Sequence, residues 1–368
     1  MNVGRTATPR EAASEMVEVR STLVLRLFVR NGSVFASAML LLAVALIALT
    51  QGAADIPIRT TIGLLLDRLP FIAIEQDVPA TWERIVFDVR LPRVIAAALV
   101  GAALSYSGTA YQGIFRNPLA DPFLLGVASG AGFGAAVAII SPLQSDAYGF
   151  GWVPVFAFLG ATITVSLVYL VSRSAPGSQG ATLILAGVAL SAVLSAGISF
   201  ILLTGGESSQ PILSFIFGGF NTASWTRLAV AAPYIAVGGI VVALHARILN
   251  VFQLDREQAA QLGVDVTRST LIVLAAASLM AAAAVAVAGI IGFVGLMVPH
   301  AARMVVGADH RRLLPVAALG GAAFLIAADV ASRTLLDPQE IPVGVLTAML
   351  GGPFFLYLLR TRRVDGGR

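Results

Sequence analysis

Long apolar stretches separated by short polar segments run through most of the chain. A helix needs about 20 mostly apolar residues to cross a bilayer, and stretches of that length recur from residue 34 onward. The pattern predicts an all-α integral membrane protein with ten spans, nine or eleven being the alternatives because one stretch is short. The predicted spans are 34–50, 93–115, 123–140, 152–172, 182–204, 226–246, 269–288, 289–303, 315–333 and 344–360.

The first 33 residues are polar and rich in arginine, unlike the rest of the chain. They lack the short apolar core and small-residue cleavage site of a signal peptide. We therefore expect a disordered cytoplasmic tail over residues 1–33 and a ten-helix permease domain over residues 34–362. Residues 51–93, between the first two spans, are predicted to form a long outer loop.

Composition supports a membrane protein and excludes several kinds of site. Hydrophobic residues make up 57% of the 368 positions and charged residues only 12%, about half the charged fraction of a soluble domain. The chain contains no cysteine, which excludes thiolate metal sites. All 24 basic residues are arginine, so the lysine of a nucleotide-binding P-loop is missing. The energy for any transport must come from another subunit or from an ion gradient.

The distribution of arginines predicts the orientation. Cytoplasmic segments of membrane proteins carry an excess of basic residues. If both termini are cytoplasmic, 17 arginines lie inside and 7 lie outside. The sequence therefore predicts a multi-pass protein of the plasma membrane with both termini in the cytoplasm.

Two features within the spans bear on packing and on energy coupling. Gly126, Gly130 and Gly134 recur every four residues, which places them on one helix face and predicts close contact with a neighbouring helix. Asp329 is the main ionisable group inside a span. It is either an i,i+4 partner of Arg333 at a helix end or a functional carboxylate. A gradient-driven carrier normally has several such groups near mid-membrane, and their scarcity counts against ion coupling.

Three blocks of sequence resemble one known family. They are RLPRVIAAALVGAALSYSGTAYQGIFRNPLADPFLLGVASGAGFG at 90–134, AGIIGFVGLMVPHAARMVVGADHRRLLP at 288–315 and ADVASRTLLDPQEIPVGVLTAMLGGPFFLYLL at 328–359. In order and spacing they are similar to the iron-chelate, haem and vitamin B12 permeases, the FecCD-type ABC importers. The resemblance extends from about residue 34 to the end of the chain.

This resemblance implies a fold, a function and partners. It implies a type II ABC importer permease that works as a homodimer with two ATPase subunits and an extracytoplasmic binding protein. The expected cargo is a ferric siderophore or haem, with cobalamin third. The chain itself is then not an enzyme, and it needs no cofactor, no metal site and no nucleic acid. Surrounding membrane lipid is the remaining partner.

The resemblance also assigns candidate residues. The ATPase-coupling helix is expected within residues 254–266, where the family pattern is matched by Glu257, Ala259, Leu262 and Gly263; Asp255, Arg256 and Gln258 depart from that pattern. Gly263 suits a left-handed helix end. An ordinary amphipathic loop helix is the alternative. The cytoplasmic gate is expected at Asn117, Leu119, Gly180 and Ala181.

Binding-protein docking is expected at Arg90 and Arg333, because the guanidinium fork holds a carboxylate with two hydrogen bonds. The alternative is that these arginines form local pairs with Asp88 and Asp329. Two other functions remain as rivals, a gradient-driven secondary transporter and an intramembrane enzyme. Neither explains the three family blocks.

Overall fold

The computed structural model of the chain describes residues 32–52, 54–68, 78–143, 151–174, 179–254, 258 and 261–365, and every regular element in these ranges is helical. The helices, numbered in chain order, are α1 (Gly32–Thr50), α2 (Ile58–Asp67), α3 (Ala80–Arg84), α4 (Leu91–Phe115), α5 (Val127–Ile140), α6 (Trp152–Ser174), α7 (Gln179–Thr204), α8 (Ser209–Phe217), α9 (Trp225–Leu244), α10 (Ala246–Val251), α11 (Val266–Ala288), α12 (Val294–Val306), α13 (His310–Thr334) and α14 (Val343–Asp365).

Ten of these described helices have at least 13 residues, and each overlaps one of the ten predicted spans. Six of them, α1, α6, α7, α9, α11 and α13, are long and apolar enough to cross a membrane. The helix α4 is also long enough, with 25 residues. The helices α5 and α12 and the apolar part of α14 are shorter. The all-helical membrane fold expected from the sequence is confirmed, and α1 begins at Gly32 rather than at residue 34.

The helix α4 lies at the centre of the bundle and packs against α9, α11, α12 and α13. It carries polar residues that would be costly in lipid, and the structure satisfies them internally. The Ser107 hydroxyl donates to the Ala277 carbonyl oxygen at 2.7 Å, and the hydroxyls of Tyr111 and Ser278 hydrogen-bond at 2.7 Å. These bonds attach α4 to α11 inside the core.

Glycines allow the helices to approach each other closely. A Cβ atom on Gly130 would lie 2.6 Å from the Gly160 carbonyl oxygen of α6, and one on Gly134 would overlap the carbonyl group of Phe156. Gly126 also faces α6, through Thr164. The predicted packing face of Gly126, Gly130 and Gly134 is therefore confirmed.

The long outer loop predicted over residues 51–93 is wrong in part, because much of it is helical. Its helix α2 buries Leu64 in a small apolar cluster with Ile56 and Val86. The helix α3 leads through a π-helical turn, Ile85–Arg90, directly into α4. The described parts of the segment therefore pack together at the outer end of the bundle, the end that the arginine distribution assigns to the extracytoplasmic side.

Candidate functional site: gate, coupling segment and outer ion pairs

The turn after α4 holds the first pair of predicted gate residues and is fixed by its own side chains. Arg116 ends α4 with a left-handed φ of 49°. The side-chain oxygen Oδ1 of Asn117 accepts the backbone N–H of Leu119 at 3.0 Å, and Oδ1 of Asp121 accepts that of Phe123 at 2.8 Å. Two such side-chain caps, with prolines at 118 and 122, leave the turn little freedom. Movement at this point therefore has to involve the helices that the turn joins.

Asp121 is the titratable group of this turn. Burial raises the pKa of its carboxyl to about 6, and the hydrogen bond from the Phe123 N–H opposes that rise. The Oδ2 atom lies 3.4 Å from where a Cβ on Gly295 of α12 would be. The neutral form of Asp121 is thus favoured more than in water, although part of its side chain remains accessible.

The second pair of predicted gate residues lies at the start of α7. A Cβ atom on Gly180 would be 3.9 Å from the Phe115 ring. A cavity of about 50 Å³ between these two residues is also lined by Arg116 and Phe252. The structure thus brings the start of α7 to the end of α4, next to the segment that follows α10. Ala181 is exposed, and the gating role of all four residues stays a prediction.

The predicted coupling segment is described in part. Glu257 and Ala259 lie outside the described residues. The Leu262 N–H donates to the Gln258 carbonyl oxygen at 3.3 Å, as in a helical turn, and the Leu262 side chain is 61% exposed. Gly263 has a φ of +76° and no other atom within 4 Å of a built Cβ. The left-handed conformation predicted for Gly263 is confirmed, and the leucine beside it is available to a partner.

Hydrogen bonds fasten the base of the coupling segment to α13. The amide of Asn250 donates to Oδ1 of Asp309 at 2.7 Å, and its oxygen accepts the backbone N–H of His310 at 2.8 Å. The Gln253 amide donates to the Ala308 carbonyl oxygen at 2.9 Å. Because α13 also packs along α4, movement of the coupling segment would reach the helix that ends at the predicted gate.

Four charged side chains form a network at the outer ends of α4 and α13, here called the outer ion-pair cluster: Arg93, Asp329, Arg333 and Glu340. Asp329 is 1% exposed and accepts Nε of Arg93 at 2.9 Å and Nε of Arg333 at 3.2 Å. Arg93 also bonds Glu340, whose side chain is 38% exposed, through Nη2 at 2.9 Å. The i,i+4 pair of Asp329 and Arg333 is confirmed as one part of this larger network.

Arg90 has a structural environment that the sequence did not suggest. It is 5% exposed, and its guanidinium donates to the carbonyl oxygens of Leu49 at 2.7 Å, Thr50 at 3.1 Å and Ala54. Carbonyl groups at the end of a helix need partners, and Arg90 supplies them for α1. These contacts occupy its guanidinium, and the docking role of Arg90 stays a prediction.

A cavity of about 270 Å³ lies at the outer end between α8, α9, α11 and α14. Its lining includes glycines such as Gly218 and Gly289, and the polar residues Asn221, Arg227 and Glu340. Glu340 therefore belongs both to this cavity and to the outer ion-pair cluster. Within the described ranges, no group of three or more His, Asp or Glu side chains could hold a metal ion.

Sequence reasoning missed Arg93, Glu340 and Asn250. Arg93 stands in the same RLPR motif as Arg90, so the motif did contain the signal, but the choice between the two arginines depends on their helix face. Glu340 and Asn250 lie far along the chain from their partners Arg93 and His310. Pairings over such separations are not visible in local spacing.

Comparison with known proteins agrees with this geometry. Residues 40–361 match the model of the FecCD transport family. The chain is 47% identical over 287 residues to a cobalamin import system permease protein, BtuC, of Halobacterium salinarum, covering 78% of this chain and 76% of that protein. It is 44% identical over 295 residues to the hemin transport system permease protein HmuU of Yersinia pestis, covering 77% and 85%.

A solved structure of an inward-facing ABC transporter of metal-chelate type superposes with a TM-score of 0.76 at 33% identity. The match covers 89% of this chain and 98% of the solved chain. The agreement therefore extends over the whole helical bundle and is not confined to the sequence blocks around the gate and the coupling segment.

Proposed function

This chain belongs to the FecCD transport family and is a membrane-spanning permease of an ABC importer, and on that premise we propose that it carries a metal chelate into the cytoplasm. The proposed cargo is a ferric siderophore, haem or cobalamin. Relatives named for cobalamin and for hemin are about equally similar to this chain, so cobalamin ranks beside the other two rather than third. The observation that carries the proposal is the match of the complete bundle to a transporter of metal-chelate type.

We propose that two copies of the chain form the pathway, with two ATPase subunits at the inner end and a binding protein at the outer end. Apolar side chains on α7 support a protein or lipid neighbour there, since Leu185, Phe200 and Leu203 are all more than half exposed. We propose that the protein lies in the plasma membrane with its inner end facing the cytoplasm. Both termini are then cytoplasmic.

The proposed mechanism passes motion from the ATPases to the gate through described contacts. ATP hydrolysis moves the segment around Leu262 and Gly263. The bonds of Asn250 and Gln253 transfer this movement to the start of α13. Because α13 lies along α4, the turn at Asn117 and the start of α7 separate, and the path opens to the inner side.

Replacing Gly263 by proline tests this coupling route. Proline fixes φ near −65°, whereas Gly263 has a φ of +76°, so the segment cannot keep its shape. We expect ATP-driven uptake of the cargo into liposomes to fall at least about tenfold, while the ATPase subunits still bind. Uptake is measured with radiolabelled haem, ferric siderophore and cobalamin in turn.

Gly206→Pro is the matched control for that substitution. Gly206 also has a positive φ, +52°, and open space around it, but it lies at the outer end before α8. Its variant should keep uptake. Equal loss in both variants would mean that strain alone, and not the coupling segment, explains the effect.

Docking of the binding protein is proposed at Arg333, with Arg93 beside it. The Nη1 atom of Arg333 donates to the Gln51 carbonyl oxygen at 3.0 Å, and its Nη2, which is buried, has no hydrogen-bond partner among the described residues. Docking that uncovers this atom would let a carboxylate of the binding protein supply the partner. The Arg333→Gln variant should weaken binding-protein affinity about 10- to 100-fold, the range for a charge-assisted hydrogen bond.

Surface plasmon resonance on nanodisc-embedded permease measures that affinity. Arg59→Gln is the control, because Arg59 is an exposed arginine of α2 at the same end. If the Arg333→Gln and Arg59→Gln variants bound the binding protein with equal affinity, Arg333 would serve only to hold Asp329 and not to dock the binding protein.

A further inference from the structure

The helices α6, α9 and α11 enclose an apolar cleft of about 690 Å³. Its volume lies in the range of pockets that hold small molecules, about 300–1,000 Å³. Aliphatic side chains such as Val165, Val237 and Leu271 form most of its lining. Leu170 and Val237 are more than half exposed, so the cleft opens on the surface of a protein whose apolar surroundings are lipid.

Of the four hydroxyl groups in the lining, the three on serine and threonine are already hydrogen-bonded within their own helices, and the fourth is that of Tyr169. Thr162 donates to the Phe158 carbonyl oxygen and Ser166 to that of Thr162, both at 2.8 Å. Ser278 donates to the Leu274 carbonyl oxygen at 2.7 Å. A polar ligand would find few free groups here, whereas a hydrocarbon chain would bury apolar surface without leaving a polar group unpaired.

An arginine lies on or just after the inner end of each of these helices, close to the cleft in sequence. Arg173 follows Tyr169 by one helical turn on α6, Arg268 precedes Leu271 by about one turn on α11, and Arg247 lies shortly after α9. All three side chains are exposed. Within the described ranges, none of the three side chains forms a hydrogen bond or an ion pair.

Three other arginines, Arg93, Arg333 and Arg303, differ in this respect. Arg93 and Arg333 bond to carboxylates, and Arg303 donates to the Gln112 side chain at 2.9 Å. Among the described residues, Asp265 is the acid next to Arg268 in sequence, and its Oδ1 accepts the backbone N–H of Arg268 at 3.0 Å and caps α11. The described residues thus leave a surplus of positive charge at the mouth of the cleft, where the guanidinium fork suits a phosphate.

We propose that this cleft binds one anionic phospholipid, with an acyl chain between α6, α9 and α11 and the phosphate at Arg173, Arg247 and Arg268. Basic pockets between transmembrane helices on the cytoplasmic side bind lipid headgroups in this way. Arg247 and Arg268 flank the coupling segment on its two sides. The bound lipid therefore braces the two helices, α9 and α11, between which the ATPase-driven movement enters.

Native mass spectrometry of the full chain tests this site. The chain is released from nanodiscs containing equal amounts of phosphatidylcholine and phosphatidylglycerol, and wild type should retain one phosphatidylglycerol. Replacing Arg173, Arg247 and Arg268 together by glutamine should weaken retention on the order of a hundredfold, since each arginine near an anionic surface contributes roughly fivefold. The matched control removes three exposed arginines at the same end, Arg311, Arg312 and Arg360, and should retain the lipid.

A second variant tests the cleft separately from the charges. Ala275 lines the cleft and is exposed, so Ala275→Phe fills the cleft without disturbing the core and should also abolish retention. Inorganic phosphate, added as a headgroup without a chain, should not displace the lipid. Full retention by Ala275→Phe, displacement by phosphate, or equal loss in the control triple variant would each overturn the proposal.

Discussion

Replacing Gly108 by valine should prevent most of the chain from reaching its folded state in a membrane. A Cβ atom at Gly108 would overlap the carbonyl group of Gly295, so α4 and α12 would have to separate. Overpacking of a core costs typically about 1–3 kcal/mol when side chains can move, and a backbone obstacle cannot move without its helix. We expect a loss of stability of at least about 3 kcal/mol and little monodisperse protein in size-exclusion chromatography.

Gly352→Val is the control for that variant. Gly352 also lies inside a helix, α14, but a Cβ there would have no other atom within 4 Å. This substitution should leave the yield and the thermal midpoint nearly unchanged. A Gly108→Val variant as stable as the control would contradict the close crossing of α4 and α12.

Replacing Asp329 by alanine should cause the second large effect. Asp329 is the buried carboxylate that both Arg93 and Arg333 contact. Removing one partner of a buried ion pair typically costs about 3–5 kcal/mol, because the remaining charges are left unsatisfied. Glu340→Gln should cost only about 0.2–1 kcal/mol, since Glu340 is partly exposed. Thermal unfolding in detergent, followed by circular dichroism, compares the two.

The Asp329→Ala variant also addresses the rival function. A proton- or sodium-coupled carrier would need Asp329 for the transport cycle rather than for the fold. Asp337→Asn removes a charge from the loop between α13 and α14, where Asp337 is exposed, and should have no effect. An Asp329→Ala variant that folds as well as this control but loses gradient-driven uptake would favour the carrier.

Hydrophobic spacing was sufficient to predict the positions of the ten longest described helices, because lipid requires long helices with satisfied backbones. The glycine face of α5 was predictable for a similar reason, since three small residues at i,i+4 spacing share one side of a helix. The helices in the outer segment, residues 51–93, were not predictable from hydrophobic spacing. Its helix α2 has only ten residues and only a local apolar cluster, so no membrane-length signal exists there.

The site was predictable where a role depends on backbone conformation and less so where it depends on distant partners. The left-handed φ of Gly263 follows from glycine at a helix end. The environment of Arg90 could not be predicted in this way, because its carbonyl partners at Leu49 and Thr50 lie about 40 residues away in the sequence. The choice between Arg90 and Arg93 also depends on which helix face turns inward. The contact of Arg93 with Asp329 likewise joins two distant helices.

Uptake into liposomes that contain the chain and a candidate ATPase subunit tests the central claim most directly. The external solution holds binding protein loaded with haem, ferric siderophore or cobalamin, and the lumen holds ATP or a non-hydrolysable analogue. We expect accumulation of one ligand with ATP, none with the analogue and none without the ATPase subunit. Uptake that continues without any ATPase and follows an imposed proton or sodium gradient would contradict it.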